Sequence, residues 1–269
     1  MTIVYQWYFE DSVAGYIATT YENIFNKTDE KPTKTIIVSL RGTKSITDTY
    51  IDMKVDMKAY SNLGQHLPFC GHECRVHKGF HEYYSRTLSL IHQYIIEELQ
   101  DVEDDYELII LGHSLGGSVA VFLGLNYLDL GYDKLSLITM GQPLIGNKPF
   151  TEWTDIVFGS ISPPESVERK YLRVIHKEDI VTVIPSKNKI SLDPYWQFDN
   201  QIYLNCSSGE QNPGQEQVVD CITGENELCI AKDFSLGRYI KKMLLLLHPQ
   251  NYLQTHITYF RRMGFCGII

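Results

Sequence analysis

Apolar positions along the chain switch between a period of two and a period near three and a half, and each switch marks an element. Ile3–Phe9, Gly15–Tyr21 and Thr35–Leu40 read as strands separated by turn-rich segments. From Phe80 to Leu99 the spacing becomes helical, with Leu88, Ile91, Ile95 and Leu99 on one side. Leu108–Leu111 is a short apolar strand, and Leu115–Leu130 a mostly apolar helix that stops at Gly131. Leu135–Thr139 and Tyr171–Ile175 are further strands. Two periods compete between Ser45 and Tyr60. Ile46, Tyr50, Met53 and Met57 fall at helical spacing, whereas Ile51, Met53, Val55 and Met57 alternate with charges, so a short helix followed by an extended stretch is expected. Residues 186–233, rich in Gly, Asn and Glu, are expected to loop over the surface with one strand near Gln201–Asn205. Strands alternating with helices imply an α/β fold whose mainly parallel sheet is covered by helices on both faces. No linker divides the chain, so residues 1–269 are expected to form one domain.

Composition narrows the function. Hydrophobic residues make up 43% and charged residues 21% of the 269, ordinary figures for a globular protein with a sizeable core. The formal charge of −9 is carried by scattered acids, which argues against nucleic acid and against electrostatic adhesion to an anionic membrane. The most apolar short run, Met243–Leu247, is far below the roughly 20 residues that span a bilayer.

Signals for compartment conflict. Met1–Glu10 lacks the basic start and apolar stretch of a signal peptide, which points to the cytoplasm or to a removed leader. The cysteines point to export. Cys70 and Cys74 are four apart, Cys221 and Cys229 eight apart, and both pairs read as small disulfide loops. His66, His72, His77 and His81 surround the first pair, but the spacing is not that of a regular zinc site. Asn26-Lys-Thr and Asn205-Cys-Ser are glycosylation sequons.

The chemistry concentrates in Glu107–Phe122. Gly112-His113-Ser114-Leu115-Gly116 fits G-x-S-x-G, a pattern expected by chance in about one chain in ten of this length. Its setting is more telling: an apolar strand enters it and an apolar helix leaves it, as in a nucleophile elbow. The serine sits on a tight turn, and the N–H groups at the helix start point toward developing negative charge, that of Leu115 first. Such a serine needs a base and an orienting acid, in the chain order Ser, acid, His. Asp179, just beyond the strand ending at Ile175, leads Glu178, Asp155, Asp193 and Asp199 as the acid. His256 leads His176, which precedes the acid, and His248, which abuts Pro249.

Taken together, the segments resemble the class 3 lipases, the fungal triacylglycerol lipase and feruloyl esterase family. The resemblance rests on Ile36-Ile-Val-Ser-Leu-Arg-Gly-Thr, Val76-His-Lys-Gly-Phe, Gly112-His-Ser-Leu-Gly-Gly and Met140-Gly-Gln-Pro-Leu-Ile-Gly-Asn. It continues through Arg173-Val-Ile-His-Lys-Glu-Asp-Ile-Val and the closing His256-Ile-Thr-Tyr-Phe. The resemblance implies an α/β-hydrolase fold and a Ser114–His256–Asp179 triad, with Thr43 and Leu115 as the oxyanion hole. It also implies a short helical lid bearing Ile46, Tyr50 and Met53, an acylglycerol or related ester substrate met at a lipid surface, and no cofactor or metal. Short-chain or feruloyl esterase, phospholipase A1 and a non-catalytic binding protein are the alternatives.

The chain departs from the family pattern in several places. It opens almost on the first strand, without the amino-terminal helix. Thr49 stands where relatives carry a lid Trp, Leu144 follows Gly-Gln-Pro in place of Arg, and Thr182 replaces a Pro. In yeast relatives a cysteine like Cys266 pairs near the amino terminus, which here leaves a Cys206–Cys266 pairing open.

Overall fold

The computed structural model describes residues 1–8, 13–22, 33–42, 56–100, 106–163, 166, 168–185, 194–199, 201–221, 223–224, 229 and 254–263. Thr43, Ile46, Tyr50, Met53, His248 and Cys266 lie outside the described residues.

An eight-stranded sheet organises the molecule, in the order β1-β2-β3-β6-β7-β8-β9-β10. β1 (Thr2–Trp7), β2 (Ala14–Thr20) and β3 (Lys34–Arg41) form an antiparallel meander at one side. From β3 the sheet runs parallel through β6 (Tyr106–His113), β7 (Leu135–Met140), β8 (Tyr171–His176) and β9 (Gln201–Leu204). β10 (Val218–Cys221) closes the far edge antiparallel to β9. Two small hairpins stand apart: β4 (Met57–Ala59) with β5 (Arg75–His77), and β11 (Thr258–Tyr259) with β12 (Arg261–Arg262). The extended stretch expected before Tyr60 is β4.

Among the described residues three helices accompany the sheet: α1 (Lys78–Gln100), α2 (Leu115–Asp129) and α3 (Lys148–Val157). Alternation along the strands decides which side they cover. Ile36, Val38 and Leu40 of β3 align with Leu108, Ile110 and Gly112 of β6, and these with Leu135, Leu137 and Thr139 of β7. That face carries the main core, which takes in Ile91, Ile95 and Leu99 of α1 and Phe150 and Trp153 of α3. α2 is sandwiched between the sheet and α1. Of its fifteen residues only Asn126 escapes full burial, which is why its sequence shows no polar stripe. Each large apolar side chain buried here contributes about 1.5–3 kcal/mol. On the opposite face Val174, Leu204, Cys206 and Tyr259 form a smaller cluster.

The parallel register has a consequence for function. Leu40 aligns with Gly112, Gly112 with Thr139, Met140 with Val174 and His176 with Leu204. The carboxyl ends of β3, β6, β7 and β8 therefore share one edge; Gly42, Ser114 and Gly141 follow the first three directly, and Asp179 stands three residues beyond β8. In open α/β sheets this edge is where sites form.

Cys70–Cys74 and Cys221–Cys229 are disulfides, as their spacing suggested. The Cys206 thiol is free and buried. No helix among the described residues is long and apolar enough to cross a membrane.

Candidate active site

β6 hands the chain to α2 through a turn that only small residues permit. A side-chain carbon at Gly112 would stand 2.5 Å from the Gly116 carbonyl oxygen and 2.6 Å from Gly117 Cα. Ser114, between strand and helix, adopts φ 58° and ψ −130°, which a non-glycine residue holds at a cost of about 1–3 kcal/mol. The turn is pinned by Ser114 N–H donating to the Met140 carbonyl at 3.0 Å, and by Gly117 N–H donating back to Ser114 at 2.9 Å. Ser114 stands at the N-cap of α2, yet its side chain makes no capping hydrogen bond. The first N–H groups of α2, beginning with Leu115, thus keep their partial positive charge at the serine. Gly42, at the end of β3, closes the other flank. A side-chain carbon there would lie 2.9 Å from Ser114 Cβ and 3.1 Å from the Leu115 nitrogen.

Asp179 reaches the same edge from β8. It caps the 3-10 turn Ile180–Val183, and its Oδ1 accepts the Val181 N–H at 3.0 Å. Its Oδ2 accepts two side-chain donors, His256 Nδ1 at 2.7 Å and the Tyr259 hydroxyl at 2.6 Å. Asp179 and His256 are each 1% exposed. Burial alone would raise the Asp179 carboxyl pKa. The adjoining imidazole, Tyr259 hydroxyl and Val181 N–H outweigh it and hold the group below the ordinary carboxylate range. The phenol of Tyr259, buried against that carboxylate, is pushed well above its usual value and stays a donor.

With Nδ1 committed to Asp179, His256 Nε2 remains buried and has no hydrogen-bond partner among the described residues. His113, the neighbour of the serine, places this ring. Its Nε2 donates to the His256 carbonyl at 2.8 Å, and the two rings lie 4.7 Å apart. Burial first, and then the adjacent His256, lower the His113 pKa to about 3, so it stays neutral. Gly141, at φ 62°, lets the loop after β7 pass close beneath the pair, since a side-chain carbon would lie 2.9 Å from His256 Cε1 and 3.0 Å from Asp179 Oδ2. A polarised imidazole beside a serine at a helix start is chemically suited to take a proton from that hydroxyl.

The competing candidates have other roles. Glu178 is exposed. Asp155, on α3, accepts the Asp199 N–H at 2.9 Å, and Asp199 binds the Gly224 N–H. His176 accepts the Glu178 N–H through Nδ1 and touches Cys206 Sγ at 3.4 Å through Nε2, on the sheet's opposite face. Asp193 and His248 lie outside the described residues, as do Thr43 and the segment expected to form the lid. Tyr259, His113 and Gly141 were not among the residues singled out in the sequence. Tyr259, three residues beyond His256 in an otherwise polar-flanked apolar run, carried the one local hint. Among the described residues no group of three or more His, Cys, Asp or Glu could hold a metal ion.

Comparison with known proteins accords with this geometry. Residues 37–189, more than half of the chain, match the model of the family Lipase (class 3). The secreted mono- and diacylglycerol lipase 2 of Gibberella zeae is 27% identical over 268 residues, covering 86% of this chain and 62% of that protein. Lipase A of Sodiomyces alcalophilus is 29% identical over 77% of this chain and 51% of its own length. The chain thus spans between half and about three fifths of these two relatives. Among solved structures, the Lip2 lipase of Yarrowia lipolytica superimposes with a TM-score of 0.73 at 26% identity, over 95% of this chain and 78% of that one. The lipase of Rhizopus microsporus var. chinensis shares the fold with a TM-score of 0.67 at 22% identity, over 96% and 73%. The fold is that of an α/β-hydrolase, and the chain belongs to the class 3 lipase family.

Proposed function

We propose that this protein is a serine carboxylic-ester hydrolase that cleaves acylglycerols through an acyl-enzyme. The reading takes residues 1–269 as one hydrolase domain. The observation that carries it is the buried His256–Asp179 pair, 2.7 Å apart, held beside the Ser114 turn by His113 and Gly141 while His256 Nε2 has no partner among the described residues.

In the proposed mechanism His256 Nε2 takes the proton of Ser114 as the oxygen attacks the ester carbonyl. Asp179 orients the imidazole and stabilises its positive charge. The tetrahedral oxyanion forms over the start of α2, where the Leu115 N–H and Thr43 stabilise it by about 3 kcal/mol per donor. The imidazolium then protonates the departing alcohol. Water, deprotonated by the same histidine, releases the fatty acid and restores Ser114. Ile46, Tyr50 and Met53 form the apolar face of a lid that meets the lipid surface. Acylglycerols are the favoured substrates because the Gibberella relative carries that specificity in its name and matches most of this chain.

The test is turnover of p-nitrophenyl esters from acetate to palmitate, with Ser114→Ala alongside. A rate that rises with chain length and jumps at the aggregation threshold supports a lipase. Activity confined to acetate and butyrate moves the protein to the esterases. Equal rates for folded wild type and Ser114→Ala overturn the hydrolase reading.

A further inference from the structure

Behind the candidate triad lies a buried cation that the mechanism above leaves idle. Arg173 sits on β8, 1% exposed, with its side chain on the same face as Tyr171. Its guanidinium makes four hydrogen bonds, all to neutral oxygens. Nη1 donates to Gln197 Oε1 at 2.8 Å and, closely, to Gln201 Oε1. Nη2 donates to the carbonyls of Gln142 at 2.6 Å and Thr182 at 2.9 Å. The Phe198 ring lies 5.8 Å from the guanidinium carbon. No carboxylate of the described residues is hydrogen-bonded to it.

A charge so deeply buried with no ion-pair partner among the described residues is expensive, and neutral side chains could supply the same packing at lower cost. What the guanidinium holds explains its presence. Gln142 follows Gly141, the residue against which His256 and Asp179 both rest. Thr182 belongs to the 3-10 turn that Asp179 caps, and Thr182 Oγ1 donates back to the Asp179 carbonyl at 2.8 Å. One planar fork therefore grips the backbone on both sides of the His256–Asp179 pair, with two donors on one nitrogen aimed at two different loops. A flexible ammonium presents no such fixed fork.

We propose that Arg173 is a positioning residue for ester hydrolysis: its guanidinium locks the Gly141–Gln142 turn to the Asp179–Val183 turn and lends Asp179 a buried positive neighbour. The proposal rests on the hydrolase reading. Titratable groups facing this region are Asp155 of α3, Asp179, Tyr171 of β8 and Tyr259 of β11, with His113 and His256 beyond them. Tyr171 and Tyr259 stay neutral through the working range, both raised by burial. Removing the cation leaves the site more negative, so the acid limb of kcat/KM moves upward.

Two variants and two readouts test this. Arg173→Met removes charge and fork; Arg173→Lys keeps the charge and loses the fork. On soluble p-nitrophenyl butyrate, Arg173→Lys is expected to lose 10-fold or more in kcat with KM within about threefold and the acid limb in place. Arg173→Met is expected to lose more and to move the limb upward. The second readout is the downfield proton resonance of His256 Nδ1–H, recorded in a Ser114→Ala background. It reports the His256–Asp179 bond whether or not the protein cleaves esters, and it should broaden or vanish in Arg173→Met. If Arg173→Met does not fold, Arg173→Lys decides alone: an unchanged kcat and an unchanged resonance overturn the proposal. A folded Arg173→Met with wild-type limb and resonance overturns it as well. Turnover by Ser114→Ala at the wild-type rate would instead overturn the hydrolase reading, with the resonance still scoring Arg173.

Discussion

α2 joins two regions that each bury an aspartate, and they use it in opposite ways. At its carboxyl end Asp129, 1% exposed, accepts the backbone N–H groups of Gly64, Gln65, His66 and Leu67 at 2.8–3.1 Å. At its amino end, beyond Ser114, Asp179 accepts one backbone N–H and two side-chain donors, His256 and Tyr259. Burial works against both carboxylates, and hydrogen bonding lowers both below their ordinary pKa. A depressed, buried carboxylate therefore does not mark a site. The donors distinguish the two. Four amides that cannot titrate make Asp129 a fastener for the loop around residues 62–70, whereas Asp179 is bonded to a histidine whose second nitrogen has no partner among the described residues, which is what the proposed mechanism needs.

The largest effects should come from the amino end. Ser114→Ala or His256→Ala is expected to lower kcat by about 10⁴-fold or more, and Asp179→Asn by a comparable factor, since amide and imidazole would then compete over the tautomer. Ser114→Ala should leave the Tm within a few degrees, as read by circular dichroism, whereas the other two break the buried pair and should lower it. A surviving rate within tenfold of wild type in any of the three would place the chemistry elsewhere.

Asp129→Asn should show the reverse pattern. An amide oxygen replaces a charged acceptor for four backbone N–H groups, and stability should fall by about 3 kcal/mol with kcat unchanged in the folded fraction. The sign with pH follows from the lowered folded pKa. The contribution of Asp129 is complete above about pH 4 and is lost as pH falls through the folded value, so wild type and variant should converge in acid. Urea titrations at pH 7 and pH 3 measure this; equal gaps at both would refute the anionic fastener.

Tyr259→Phe probes the middle ground. It removes one of three donors to Asp179 while keeping the ring in its cluster, and should cost about tenfold in kcat and about 1 kcal/mol in stability. Asp155→Asn is read through the pH dependence of stability and not through turnover. Burial raises the Asp155 carboxyl to about 8 despite the Asp199 N–H, so it folds protonated at neutral pH. Its presence makes stability decline as pH rises from about 4 to about 8, where the unfolded chain has already released the proton. The asparagine variant should flatten that decline, and Tm measured at pH 5 and pH 8 checks it.

The sequence displayed these regions unequally. Ser114 was legible because a local motif sat between a strand and a helix that periodicity exposes. Asp179 and His256 could be ranked from chain order, but 77 residues separate them, and only the fold brings them together. Arg173, His113 and Tyr259 contact partners as far as 143 residues away, and no local pattern records such contacts. α3 went unread although Asn147, whose side chain accepts the Phe150 N–H, and Pro149 are ordinary start signals. Ten residues with few apolar positions gave too little period. β10 was hidden likewise, since Val218 and Val219 break the alternation and only pairing with β9 fixes the strand.

Whether Ser114 is the nucleophile and depends on His256 is decided by labelling the intact protein with a fluorophosphonate and mapping the adduct by mass spectrometry. One phosphonylated residue is expected, Ser114, with labelling abolished in Ser114→Ala and slowed by orders of magnitude in His256→Ala. An adduct on another residue, or folded protein that labels as fast without His256, would contradict that assignment.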